Sequence, residues 1–220
     1  MRILVACECS GVVRRAFEAR GWDAWSCDLQ PSHDAAPKHI QGDVTQHLDK
    51  QWDMMIAHPT CTYLTCSAEW AYGDGPYHQK VKPETLVGAA RREARRESVE
   101  FVRTLMGAPI PRIVIENPRG HLSSAIGKPR QTIQPYWFGD DASKATCLWI
   151  MGGLPSLVAT NRKAGRLVEW PLGSGKIVER WANQTDSGQN NLTPSAARWM
   201  DRSITYPGFA EAMADQWSNL

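Results

Sequence analysis

No stretch of this sequence approaches the roughly 20 consecutive apolar residues that a membrane-spanning helix requires, so no such span is expected and the chain reads as a soluble protein. Its opening also lacks the shape of a secretory signal, because Met1-Arg2 runs directly into the strand-like Ile3-Leu4-Val5-Ala6. Its six cysteines are therefore expected as free thiols in a reducing cytoplasm. A large excess of one charge is missing as well: the formal net charge is +2, which neither demands nor forbids a nucleic-acid partner. Internal repeats and low-complexity tracts are absent. So are the two paired ligand clusters of a structural zinc site, since His58, Cys61 and Cys66 stand without a second group and match no deaminase signature. No metal is expected.

What is present is enough for one sizeable core and a small appendage: 220 residues, 42% of them hydrophobic. Strand-like and helix-like segments alternate through the first two thirds. Ile3 to Ala6 reads as a buried strand, Val12 to Ala19 has helical spacing, Gly21 supplies a stop, and Asp23 to Cys27 reads as the next strand, together a βαβ unit. Met54 to Ala57 is a further strand, and Trp70 to His78 reads as a loop or lid. Pro83 is expected to open a long helix reaching about Met106, with Arg91, Arg92, Arg95 and Arg96 set against Glu93, Glu97 and Glu100 on a solvated face. Pro111 to Ile115 is the next strand; Thr132 to Phe138 and Thr146 to Ile150 suggest an antiparallel hairpin across Gly139-Asp140-Asp141. Pro207 to Trp217 reads as a closing helix.

Two of these strand ends carry chemistry. Cys61 follows Met54 to Ala57 on the turn His58-Pro59-Thr60, and Glu116-Asn117 follows Pro111 to Ile115. Parallel connection puts such ends on one edge of a sheet, where α/β proteins bind ligands, so one crevice can hold both. Taken singly, Cys61 reads more readily as a small buried hydrophobe and Glu116 as a loop carboxylate or helix cap; their combination is what points to chemistry. From 154 to about 195 the pattern loosens around Pro155, Gly165, Pro171, Gly173, Gly175, Gly188 and Pro194. There Arg162, Lys163, Arg166 and Lys176 lie near Trp170 and Trp181. Cations interleaved with aromatics suit a nucleic-acid surface, and tryptophan equally suits the miniature core of a small lobe.

The chain resembles the DNA cytosine-C5 methyltransferases, particularly their short phage-encoded relatives, in an ordered series of short matches over nearly its whole length. The run from Arg2 through Cys7, Ser10 and Gly11 is similar to the family's first strand and cofactor loop. Trp25-Ser26-Cys27-Asp28 is similar to the strand end whose acid holds the ribose of S-adenosylmethionine, and Gly42-Asp43-Val44 to the motif that approaches its adenine. Ala57-His58-Pro59-Thr60-Cys61 resembles the catalytic Pro-Pro-Cys loop, and Ile115-Glu116-Asn117-Pro118 the Glu-Asn-Val element. Tyr206 to Ala214 looks like a variant of the last motif, which folds back on the cofactor pocket. Lys144 and Thr146 occupy the place of the arginine strand that contacts the cytosine carbonyl.

The resemblance implies a Rossmann-like class I methyltransferase, with a mostly parallel sheet flanked by helices. Residues 1–153 and 196–220 would form the S-adenosylmethionine-dependent domain and 154–195 a small irregular recognition lobe, with Arg162 and Lys163 as DNA contacts. It implies Cys61 as the thiolate that adds to cytosine C6 and Glu116 as the acid at N3, supported by Pro59 and Asn117. Cys7, Ser10, Gly11, Asp28 and Asp43 would hold the cofactor. DNA is the implied partner, bound by extruding the target base.

Besides the missing arginine strand, the sequence departs from the pattern at three places. Only Gly11 stands in the usually glycine-rich cofactor loop, Thr60 and Thr62 replace a proline and a glutamine around Cys61, and the recognition segment is short. Target choice is therefore expected to be short, relaxed or supplied by a protein partner. Two alternatives fit the same residues: an inactive relative that binds DNA, and an enzyme modifying a free pyrimidine nucleotide.

Overall fold

The computed structural model describes residues 1–192 and 204–218, so the last three residues of the expected lobe and residues 196–203 lie outside the described part. The chain's most apolar runs form the centre of a seven-stranded sheet. Its strands are β1 (Arg2–Ala6), β2 (Asp23–Asp28), β3 (His39–Gln41), β4 (Met54–Ala57), β5 (Ile113–Pro118), β6 (Gln131–Ile133) and β7 (Thr146–Ile150), in the order β3-β2-β1-β4-β5-β7-β6. The first five are parallel, while β7 runs antiparallel between β5 and β6. This is a Rossmann-like α/β fold, a mostly parallel sheet flanked by helices, as the sequence predicts.

Strands buried on both faces read as continuous apolar runs, and β1 shows why. Ile3 and Val5 point into one core with Val13 and Phe17 of α1 (Val12–Glu18). Leu4 and Ala6 point into the other, with Val99, Val102 and Leu105 of α2 (Gly88–Met106). After a short helix, α3 (Leu122–Ala125), the chain returns to the first face through α4 (Pro207–Trp217), which buries Phe209, Met213 and Trp217. Arg20 at the end of α1 joins α4 by reaching Glu211 and Asp215, each at 2.6 Å.

Several boundaries differ from the sequence expectation. The long helix begins at Gly88 rather than Pro83, because Glu84 sits in a turn with φ 63° and Val87 is extended, so residues 83–87 are not one helical run. Strand β5 continues to Pro118 because β7 pairs with it past the point where β4 ends; Glu116 lies opposite Leu148 within the strand. The expected hairpin forms between β6 and β7, but its first strand stops at Ile133, and Pro135–Trp137 makes a 3₁₀ turn instead.

The lobe carries a separate hairpin, β8 (Arg166–Glu169) and β9 (Ile177–Arg180). Trp181 stacks on Tyr136 with ring centroids 3.9 Å apart, and its Nε1 donates to the Lys163 carbonyl at 3.0 Å. That tryptophan is the lobe's core and its seam to the main sheet. Trp170, Leu167, Leu172 and Ile177 remain exposed on or near the hairpin. No helix among the described residues is long and apolar enough to cross a membrane.

Candidate active site

The carboxyl ends of β1, β2 and β4 open into a cavity of about 330 Å³ lined by Cys7, Cys27, Asp28, Leu29, Gly42, Asp43, Val44, Thr45, Thr60 and Phe101. Each acid is oriented by its own turn. Asp28 Oδ1 accepts from the Gln30 amide at 2.8 Å and Asp43 Oδ1 from the Thr45 amide at 2.9 Å, and the Thr45 side chain bonds Asp43 as well. The Thr45 bonds also hold the Asp43 carboxyl below the usual carboxylate range. Two acceptors among Leu29, Val44 and Phe101 suit a ligand with hydroxyl and amino donors on a flat apolar body. S-adenosylmethionine has that character at its adenosine end.

Not every residue expected around a cofactor lines this cavity. Cys7 does, with a left-handed backbone at φ 58°. Ser10 and Gly11 do not. Ser10 donates to Glu8 Oε1 at 3.2 Å, and the buried Glu8 carboxylate also accepts the Val13 and Arg14 amides at 2.8 and 3.3 Å. An acid of the chain thus already caps the amino end of α1, where an anionic ligand would otherwise find free N–H groups. Gly11 has φ 69°, and a Cβ there would lie 2.7–2.9 Å from the Arg14, Arg15 and Asp34 side chains. Its glycine serves the helix entry and this ion cluster.

Beside the cavity, Thr60 leads to Cys61. The Asn117 side-chain amide donates to the Pro59 carbonyl at 2.8 Å, tying the cysteine turn to β5. Thr65 bridges Gly120, and the His121 amide donates to the Leu64 carbonyl at 2.7 Å. A Cβ on Gly120 would stand 2.0 Å from the Leu64 oxygen, so only glycine permits this approach. The segments carrying Cys61 and Glu116 are therefore locked together at two points. Cys61 is half-buried. Among the other thiols, burial and then Asp28 push Cys7 and Cys9 up, and burial, Asp28 and Asp43 push Cys27 up to about 12, which favours the protonated thiol in all three.

Glu116 is half-buried beside His58, its side chain 14% exposed, and the His58 Nδ1 lies 3.2 Å from Oε2. Burial alone would raise this carboxyl. The His58 contact, the charge of Lys144 and the Thr146 hydroxyl outweigh it and hold the group below its ordinary value. Thr146 Oγ1 also lies 3.1 Å from the Lys144 carbonyl, so its single proton serves one acceptor or the other. Lys144 and Thr146 thus belong to the Glu116 group. Arg162 and Lys163 sit in the lobe seam instead: Arg162 pairs with Glu179 at 2.5 Å, and the Lys163 amide donates to the Tyr136 carbonyl at 2.8 Å.

Two arginines placed by sequence on a solvated helix face turn inward. Arg91 is only 6% exposed, with its guanidinium over the Tyr72 and Tyr63 rings at 4.7 and 5.3 Å. Arg95 lies 3.3 Å from the Tyr72 ring centre and donates to the Tyr63 carbonyl at 3.0 Å and to Glu69 at 2.6 Å. They fasten the segment after Cys61 to α2. Tyrosines at 63 and 72 opposite arginines at i, i+4 were the available signal, and it needs the loop's path to be read. His58 was likewise legible only as part of a cysteine turn.

Fold and site together define a Rossmann-like α/β protein, a mostly parallel sheet flanked by helices, with a thiol and a carboxylate on neighbouring strand ends beside an acid-lined cavity. The sequence matches no protein-family profile and no curated protein. Among solved structures, it is similar to an E. coli protein described as a DNA modification methyltransferase encoded within a prophage, at 12% identity and TM-score 0.41 over 68% of this chain and 46% of that one. It is also similar to the S. pombe Dnmt2 methyltransferase, at 12% identity and TM-score 0.41 over 72% of this chain and 51% of that one. The chain spans about half the length of each. Among the described residues, no group of three or more His, Cys, Asp or Glu side chains could hold a metal ion.

Proposed function

We propose that the protein transfers a methyl group from S-adenosylmethionine to C5 of cytosine in DNA. The observation that carries this reading is the junction at Thr60, which lines the cavity holding Asp28 and Asp43 while its neighbour Cys61 is tied through Pro59 and Asn117 to the strand of Glu116. Cofactor, nucleophile and acid would then meet across one turn. In this reading Asp28 takes the ribose hydroxyls, Asp43 the adenine amine, and Leu29, Val44 and Phe101 the ring faces. The cofactor, when bound, supplies an electrophilic methyl on sulfur.

Cytosine C5 is too weak a nucleophile to take that methyl unaided, so a covalent partner is needed. The Cys61 thiolate adds to C6 and makes C5 enamine-like. Charge gathers at N3, where Glu116 donates once it has taken up a proton from solvent; in its ionised form it accepts from the neighbouring amino group of the base. After transfer, loss of the C5 proton and departure of Cys61 restore the ring. A duplex hides this face of the base, so the base is extruded, with the lobe of 154–195 meeting the backbone. The small lobe fits a short or relaxed target, or one set by a protein partner.

Mass spectrometry of nucleosides from DNA incubated with the protein and S-adenosylmethionine tests the proposal directly. 5-Methyldeoxycytidine is the expected product. Its absence, together with no covalent adduct on 5-fluorocytosine DNA, would leave a DNA-binding relative without activity. Label appearing only in free deoxycytidine nucleotide would move the substrate class.

A further inference from the structure

One side chain in the site has no part in the chemistry above. The His58 amide donates to the Ala6 carbonyl at 2.9 Å, which places the residue one step past β4, and its side chain is only 8% exposed. Nδ1 faces Glu116 Oε2 at 3.2 Å. Nε2 is buried and has no hydrogen-bond partner. An unpartnered buried polar atom costs about 1–3 kcal/mol, so a ring wanted only for packing would be better served by an apolar one. An ionised carboxylate only accepts, so the proton of this contact sits on Nδ1.

We infer that His58 is a positioning residue for Glu116: its Nδ1–H tethers Oε2 and so orients the carboxyl toward the N3 and amino edge of the target base. This rests on the role given to Glu116 above. The tether does two things. It fixes the carboxyl plane, which otherwise rotates about the last side-chain bond, and it supports the ionised form that Glu116 must regain whenever it gives up a proton. The groups that face Glu116 are His58 from the turn after β4, and Lys144 and Thr146 from the entry to β7. Lys144 contributes charge, and Thr146 divides its proton with a carbonyl. His58 is the ring nitrogen that binds one chosen oxygen.

Two variants separate this role from mere filling. His58→Phe keeps a ring and removes the donor; His58→Asn keeps a donor near the Nδ1 position and removes the ring. The Glu116 carboxylate is followed by infrared titration of the whole protein, with Glu116→Gln identifying its band, so this readout needs no turnover. Its midpoint is expected below the ordinary glutamate range in the unsubstituted protein, moved up in His58→Phe and largely restored in His58→Asn. In methyl transfer to duplex DNA, His58→Phe is expected to lose about 10- to 100-fold in kcat with the KM for S-adenosylmethionine unchanged, and His58→Asn to recover most of it. The same midpoint and the same kcat in all three proteins would overturn the inference, as would an Asn variant indistinguishable from Phe. If the unsubstituted protein methylates no DNA, the proposed reaction fails, and the infrared titration still decides whether His58 holds Glu116.

Discussion

Cys61 is a half-buried thiol next to Thr60, which lines the acid-bearing cavity, and the predictions at residue scale start there. Cys61→Ser is expected to abolish methyl transfer, below about a thousandth of the original rate, while leaving the melting temperature within a degree or two. Rate assays and thermal denaturation on one preparation check both halves. Glu116 adds a pH dependence. Its folded-state value lies below the ordinary 4.5, so its contribution to stability is fully present above the unfolded value and is lost as pH falls through the folded one. Urea denaturation between pH 3 and 6 should therefore show a steeper acid loss for the unsubstituted protein than for Glu116→Gln, which removes this titration. A parallel pH profile in the two would show that Glu116 contributes nothing to acid stability.

At the scale of elements, the site depends on how closely two loops approach. The turn after β4 and the turn after β5 touch through Asn117 and Gly120, and the second contact leaves no room for a methyl group. Gly120→Ala is expected to destabilise the fold by about 2–3 kcal/mol and to reduce transfer through displacement of the Cys61 turn. Denaturant midpoints and single-turnover rates measure these separately, and an unchanged rate would mean that the loops yield without moving Cys61. Arginine charge on α2 behaves differently from its sequence appearance. Arg91 and Arg95 lie over tyrosine rings and bond the segment after Cys61, so Arg95→Ala should loosen that segment toward protease while Arg96→Ala, with an exposed ion pair only, should not.

For the whole molecule, the question is how the lobe is joined to the sheet. Trp181 is 7% exposed and stacks on Tyr136, which belongs to the turn between β6 and β7. Truncating such a buried tryptophan removes about 3–5 kcal/mol of packing. Trp181→Ala is expected to release the lobe to limited proteolysis and weaken DNA binding, with binding of S-adenosylhomocysteine by calorimetry unchanged because the cavity lies on the other side of the sheet's β5. A loss of both together would make lobe and cavity one cooperative unit. The exposed Trp170, Leu167, Leu172 and Ile177 stand out from this same lobe.

Local pattern alone determined much of this protein. The buried strands β1, β2 and β4, the helices α1 and α4, and the placing of Cys61 beyond a strand end follow from apolar periodicity and from glycine and proline punctuation, all of which act within a few residues. The acids Asp28 and Asp43 were legible only through the family resemblance of the short segments that carry them. Tertiary structure decided what depends on partners distant in the chain. It extended β5 through Glu116 because β7 supplied backbone bonds, and it delayed α2 to Gly88 because the turn at Glu84 competes with the helix. It gave Ser10 and Gly11 to the capping of α1, brought Lys144 and Thr146 to Glu116, and turned Arg91 and Arg95 onto tyrosines. His58 shows the division most plainly. The sequence places it three residues before Cys61, but only the pairing of β4 with β5 sets its ring against a carboxylate 58 positions away. Electrostatic and hydrogen-bond energies act over a few ångströms of space, and a one-dimensional pattern carries no record of which distant residues will come that near.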